Sequence, residues 1–301
     1  YDALRVFEEL ANDPAMQWRH VLQPGEAMLF DTLARQESGL VVTVFVQPDR
    51  VSHMFWRGLD ESHPLHAASS ELARGAIPWI YAESDRVLGE VRKRLRPEDR
   101  LIVLSDHGFA SFRRSVHLNR WLVDHGYLVM KAGADATQPL FVAVDWSQTR
   151  AYALGLNGVY INRQGREPEG IVNATDADAL EQQLVTELGE LRDPANQQAM
   201  VRKVYRATSI YTDSHRKDSP DLIVGYEPGY RASWQTSLGA TPTELVEDNL
   251  QNWSGDHCID PDAVPGVLFT SFKPDGSAKG IADLGALIRR AHDDAHAAAT
   301  P

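Results

Sequence analysis

The sequence has little of three things that would each indicate a particular class of protein. A single cysteine, Cys258, among 301 residues excludes an internal disulfide framework. No run approaches the roughly eighteen consecutive apolar residues of a membrane-spanning helix. Basic residues are scarce, with 30 Lys and Arg against 42 Asp and Glu and a formal net charge of -12. This charge disfavours a large nucleic-acid footprint, but a small phosphorylated substrate stays compatible because a bound dication reverses the local field.

The rest of the composition is that of an ordinary globular protein. Hydrophobic residues make up 43% of the chain and charged residues 24%. A chain of this length forms one large domain or two modest ones and can bury a sizeable core. The first residue is Tyr1 rather than Met, so we expect the chain to have been trimmed, processed or renumbered. The sequence leaves open a cytoplasmic or exported location and the oligomeric state.

Short apolar runs alternate with longer helical patterns along the chain. Residues 40–46 and 100–104 are β-branched or apolar on both faces, which predicts buried parallel strands. Helical spacing is seen over residues 2–37 and 65–96, and residues 266–271 predict a further buried strand. This alternation predicts an α/β layer fold. Residues 128–235 are less regular, and we predict that they form a smaller inserted subdomain of a single domain spanning residues 1–301.

Metal-capable side chains occur at three places near predicted strands. The five candidates are Asp49, His53, Asp106, His107 and His257. Ligands bind outside the carboxyl ends of the strands in open α/β sheets, which is where Asp49 and the Asp106-His107 pair are expected. Two carboxylates and three imidazoles suit zinc and also accept manganese or iron. Each motif alone is weak evidence for a metal site, and Asp-His-Gly after a strand is also compatible with a simple turn, so the specificity comes from their order. Asp256 is either a partner that orients His257 or a loop carboxylate.

This order of motifs resembles the alkaline phosphatase superfamily, most closely its type I phosphodiesterase and nucleotide pyrophosphatase branch. The resemblance spans about residues 40–272. Other segments that fit it are Phe55-Trp56, residues 158–162 with Gly165-Arg166, residues 219–222, and Gly229-Tyr230-Arg231.

The resemblance implies an α/β/α sandwich with a mostly parallel central sheet and a site with two divalent metal ions. Asp49, His53 and His257 would hold one ion, and Asp106 with His107 would hold the other. Zinc is the expected metal, with manganese as the alternative. The family's second ion takes a further Asp from an upstream strand, beside a Thr or Ser nucleophile. We find neither in this sequence, so we expect an N-terminal part that is missing here and carries both, either upstream of Tyr1 or as a separate chain.

The implied activity is a metal-dependent phosphodiesterase or phosphohydrolase that acts on a small phosphorylated substrate. Phosphoryl transfer would pass through the upstream Thr or Ser, so this chain alone is expected to be inactive. Two alternatives stay open at this point. One is a non-catalytic metal-binding fragment or interaction module, and the other is a phosphomutase or sulfatase relative with the same ligand set.

Overall fold

A computed structural model describes residues 23–212, 217–274 and 280–299. Residues 2–22 of the predicted 2–37 helix therefore lie outside the described residues. The helices are α1 (Gln23–Arg35), α2 (Gln47–Leu59), α3 (Glu71–Arg94), α4 (Leu118–Asp124), α5 (Ala174–Gly189), α6 (Ala207–Ile210), α7 (Trp234–Ser237) and α8 (Leu284–Ala299), with 3₁₀ turns at Pro261–Ala263 and Ile281–Asp283. The strands are β1 (Ile102–Leu104), β2 (Ala110–Val116), β3 (Ala151–Leu154), β4 (Gly158–Ile161), β5 (Val201–Arg206), β6 (Leu222–Tyr226), β7 (Gly229–Ala232), β8 (Val246–Asp248), β9 (Gly255–Asp256) and β10 (Leu268–Thr270).

Helices α2 and α3 pack tightly against each other. The Ser70 side chain caps α3 by accepting a hydrogen bond from the amide of Ala73, which satisfies one of the free donors at the helix start. The apolar face of α2, with Val51 and Phe55, is buried against α3. Gly58 permits the close approach, since a Cβ there would lie 2.4 Å from the carbonyl oxygen of Ala73. This packing fixes the helix that carries Asp49 and His53.

Strand β2 is the centre of a sheet that reaches the candidate site. It pairs with β7 in parallel and with β8 and β9 in antiparallel orientation. In the pairing with β9, Ala110 lies opposite Asp256 and Ser111 lies opposite Gly255. The register therefore brings the residues that follow β9 close to the start of β2, which lies three residues after His107.

A second sheet has the order β3-β4-β6-β5, with every pair antiparallel. Helix α5 packs on its β5 and β6 strands, and Leu184 and Leu188 of that helix are fully buried in the main hydrophobic core. The same core includes Val116 and Leu118 beside the first sheet. The inserted subdomain at about 128–235 stays a prediction, and within that range the structure forms this antiparallel sheet and its helix.

The expectation of a mostly parallel central sheet is not confirmed. The chain has a mixed α/β architecture with several sheets, consistent with an alkaline-phosphatase-like fold, but the strand pairs in the described residues are largely antiparallel. Residues 40–46 form no strand, and Leu40, Val42 and Val44 are exposed. The prediction of a buried strand there was wrong. A strand needs a hydrogen-bonded neighbour at its edge, and no strand in the described residues pairs with this segment.

The strands predicted at residues 100–104 and 266–271 do form, as β1 and β10, and they pair antiparallel with each other. They are less buried than expected, with Leu268 36% and Phe269 62% exposed. Their position still matters for the site, because Asp106 and His107 follow β1 directly. Gly266 lets the two segments come close, since a Cβ there would lie 2.6 Å from the Ser105 carbonyl oxygen.

Acidification is expected to destabilise the fold through His63. The Nε2–H of this buried imidazole donates to the carbonyl oxygen of Phe112, and its Nδ1 accepts from the amide of Leu65. Burial lowers the pKa of His63 from its ordinary value, so the unfolded chain binds more protons. The resulting stability is fully present above about pH 6.5 and is lost as the pH falls below that value.

Urea unfolding at pH 7 and pH 5 measures this effect. The free energy of unfolding of the wild-type protein should be lower at pH 5 than at pH 7, and this decrease should be smaller in His63→Gln. An identical pH dependence in the variant would contradict the assignment. The pKa values of His53, His117 and His257 are lowered by burial in the same direction, so some dependence should remain.

Candidate metal centre

Helix α2 supplies the first two side chains of the site. Gln47-Pro48 opens the helix, and Asp49 lies in its first turn, where the helix dipole favours a carboxylate. His53 follows one turn later on the same face, with its Nε2 3.5 Å from Asp49 Oδ1. The sequence predicted this pair at the end of a strand, but both residues are helical, and their spacing of four residues makes them neighbours.

His257 reaches the same carboxylate from the segment after β9. Its Nε2 lies 3.6 Å from Asp49 Oδ1. Gly255 allows this approach, because a Cβ there would lie 2.6 Å from the carbonyl oxygen of Ser52 and 2.8 Å from Trp56 Cβ. The backbone of β9 thus lies directly against α2, and the side chain two residues later enters the space in front of Asp49.

Asp106 and His107 complete the cluster from the turn after β1. His107 Nε2 lies 3.9 Å from Asp49 Oδ1 and 3.5 Å from Asp106 Oδ2. Its ring is stacked on His257, with centroids 3.5 Å apart and an angle of 15° between the planes. Asp106 is the most open of the five, with 71% of its side chain exposed. The structure therefore brings all five sequence-predicted side chains to one place.

Hydrogen bonds fix which ring nitrogen two of the histidines present. Nδ1 of His53 lies 2.7 Å from the carbonyl oxygen of Gly255, and Nδ1 of His107 lies 2.9 Å from that of Gly108. A carbonyl can only accept, so each Nδ1 carries a proton, and in a neutral imidazole the Nε2 then keeps its lone pair. A backbone carbonyl on the far nitrogen is the usual support of a histidine that binds a metal.

The environment also favours neutral imidazoles. Burial lowers the pKa of His53, and burial followed by the neighbouring His107 lowers the pKa of His257. Neutral imidazole is the form that binds a metal ion. Asp49, His53 and His257 offer ligand atoms that all lie within 4.8 Å of one another. This donor set fits a divalent ion such as zinc.

A second group with ligand atoms this close consists of Asp256, His257 and Cys258, and we do not assign it to a metal. Asp256 already accepts hydrogen bonds from three donors and is paired with Arg231. Burial alone would raise the pKa of Asp256, but Arg231 and these bonds hold it below its usual value. Burial raises the pKa of the Cys258 thiol to about 12, which disfavours the thiolate that a metal needs.

The family model described as type I phosphodiesterase / nucleotide pyrophosphatase matches residues 2–255, most of the chain. The chain belongs to this family. The resemblance seen in the sequence is thereby confirmed, and with it membership of the alkaline phosphatase superfamily. The matched segment contains Asp49, His53, Asp106 and His107 and ends two residues before His257. No curated protein matches the chain.

Membership supports the hydrolysis of phosphoester bonds as the general activity. The family acts on small phosphorylated substrates and is typically metal-dependent. Within the described residues, no helix is long and apolar enough to cross a membrane.

Two aromatic residues beside the imidazoles were missed from the sequence. Trp253 stacks on His53 with ring centroids 3.7 Å apart, and Phe109 meets His257 edge to face at 5.3 Å. Both lie within two residues of a glycine in the Asp-His motifs, so their position was a usable signal. They cover the apolar sides of the imidazole rings and leave the Nε2 atoms facing Asp49.

Proposed function

We propose that the chain contributes the metal centre of a two-metal phosphodiesterase or phosphohydrolase. Asp49, His53 and His257 would hold one divalent ion, and Asp106 and His107 the other. The observation that carries this proposal is the convergence of three imidazole Nε2 atoms at 3.5–3.9 Å from Asp49 Oδ1. Zinc is the proposed metal, with manganese as the alternative, because the donors are nitrogen and oxygen.

Charge explains why such a site would need metal ions. The ligand set combines neutral imidazoles with two carboxylates, so on its own it repels a phosphate group. Bound divalent ions would reverse this sign, lower the pKa of a nucleophile and stabilise the leaving oxygen. The protein's part is to orient the ligand atoms. His53 and His107 do so through the backbone carbonyls of Gly255 and Gly108.

The nucleophile is proposed to be a Thr or Ser upstream of Tyr1. Two hydroxyls close to the ligands are poor candidates, because Ser52 and Ser254 are fully buried. The Ser254 hydroxyl accepts from the amide of Arg57 and lies 3.4 Å from the carbonyl oxygen of His53. Ser105, next to Asp106, uses its hydroxyl to accept from the amide of Val267.

Comparison of three model substrates tests the activity. On the full-length zinc-loaded protein we expect bis(p-nitrophenyl) phosphate to be hydrolysed faster than p-nitrophenyl phosphate, and p-nitrophenyl sulfate to be the poorest. The 301-residue chain alone should bind zinc and turn over none of them. Faster sulfate or monoester cleavage would favour the sulfatase or phosphomutase alternatives, and an inactive full-length protein would favour the metal-binding module. Turnover by the 301-residue chain would refute an upstream nucleophile.

A further inference from the structure

Directly behind the metal centre lies a buried ion pair that the proposed chemistry does not use. Arg231 Nε of β7 is 2.7 Å from Asp256 Oδ2 of β9, and both side chains are 2% exposed. The guanidinium lies over the rings of Trp234, at 4.1 Å, and Phe112, at 5.1 Å. Taking both charges out of water is costly, so such a pair is weak evidence for stability by itself.

The carboxylate of Asp256 also binds the segment that carries the ligands. Its Oδ1 accepts the backbone amides of His257 and Cys258, both at 2.8 Å. Its Oδ2 accepts the indole Nε1–H of Trp253 at 2.7 Å. With Arg231, four contacts therefore fix one side chain, and three of them reach residues 253–258.

The same segment determines the orientation of His53 on α2. The ring of Trp253, held by Asp256, stacks on the His53 imidazole at an angle of 30°. The carbonyl of Gly255, next to Asp256, accepts the Nδ1–H of His53. A shift of Asp256 would therefore disturb two ligands from different parts of the chain, His53 through its ring contacts and His257 through its backbone.

We propose that Arg231 and Asp256 are positioning residues whose buried ion pair aims the Nε2 atoms of His53 and His257 at Asp49. This inference rests on the proposed function, because the two residues would orient side chains of the proposed metal centre. It goes beyond that function by making two residues that touch no substrate a condition for tight metal binding. Partners of this kind typically contribute 10–100-fold in metal affinity.

Zinc affinity of Asp256→Asn, measured by competition with a chromophoric chelator, tests the proposal. The matched control is Asp193→Asn, since Asp193 is also fully buried and pairs with an arginine, Arg114, at 2.9 Å. Asp193 likewise accepts a backbone amide and a side-chain donor. We expect zinc binding to be about 10–100-fold weaker in Asp256→Asn and unchanged in Asp193→Asn. Equal affinities in the two variants would overturn the proposal.

A double variant separates positioning from the effect of an unpaired buried charge. Asp256→Asn leaves Arg231 without its partner, and an orphaned charge alone could disturb the site. Arg231→Met combined with Asp256→Ala removes both charges and every acceptor at this position. Zinc binding should stay weak in the double variant. Recovery of wild-type affinity would show that Asp256 only neutralises Arg231.

A measurement on the metal-free protein tests this inference separately from the proposed function. Nitrogen-15 NMR of the imidazoles in the metal-free protein should show His53 as the Nδ1–H tautomer. Asp256→Asn should shift the His53 and His257 resonances, and Asp193→Asn should leave them in place. A wild-type protein that binds no zinc would refute the proposed function, and the spectra would still decide the positioning role. Unchanged imidazole spectra in Asp256→Asn would refute the positioning role.

Discussion

His257→Ala is expected to remove one divalent ion per chain and to abolish most activity of the full-length protein. The imidazole supplies one of the three nitrogen atoms that face Asp49 Oδ1. Three protein ligands are typical of a catalytic zinc site, and His257 is the one proposed ligand of this ion that comes from outside α2. Loss of a direct ligand should cost more than the 10–100-fold in affinity typical of residues that only support a ligand.

Elemental analysis of zinc-loaded protein measures the ion count, and the diester assay measures turnover. The control is His125→Ala, because His125 is exposed and stacks on Trp121, while its Nδ1 contacts the Trp121 carbonyl. This variant should keep the wild-type zinc content. Full metal content in His257→Ala would remove the basis for the proposed ligand set.

The candidate site was easier to predict from the sequence than the sheet around it. Asp49 and His53 are four residues apart. Two side chains with this spacing lie on the same face of a helix, and they can equally lie close together after the end of a strand. The sequence therefore predicted that the two side chains lie together, even though the predicted secondary structure around them was wrong. Asp106-His107 and His257 were found from their residue types beside glycines, and those glycines matter because the backbones pack closely at Gly108 and Gly255.

Strand β2 shows why the sheet could not be predicted. Its sequence, Ala-Ser-Phe-Arg-Arg-Ser-Val, carries two adjacent arginines and shows no apolar run. The charge of Arg114 is satisfied by Asp193, at 2.9 Å, and by Asp248, at 2.6 Å. These partners lie 79 and 134 residues away in the sequence, so local composition does not reveal them.

Residues 40–46 show the opposite error, because a strand was predicted there and none forms. A short apolar run indicates that a segment tends to be buried, but it does not indicate which neighbours are present to bury it. In the described residues Val42 and Val44 stay 72% and 78% exposed. The prediction followed the intrinsic preference of the segment, whereas tertiary contacts decide whether a strand forms.

Gly255→Ala is expected to lower both the stability of the fold and its zinc affinity. The new Cβ would lie 2.6 Å from the Ser52 carbonyl oxygen and 2.8 Å from Trp56 Cβ. The first of these is backbone inside α2, which cannot rotate away, so β9 and α2 must separate. Overpacking of this kind costs about 1–3 kcal/mol. The separation would also lengthen the contact between His53 Nδ1 and the Gly255 carbonyl, so zinc affinity should fall with stability.

Urea unfolding of the metal-free protein gives the free energy of unfolding, and chelator competition gives the zinc affinity. The matched control is Gly89→Ala within α3, where a Cβ would meet no neighbouring atom within 4 Å. Alanine favours a helix over glycine by up to about 1 kcal/mol, so the control should be neutral or more stable and should bind zinc normally. A Gly255→Ala protein with both values unchanged would mean that β9 and α2 are not in contact, and the route by which His257 reaches Asp49 would be wrong.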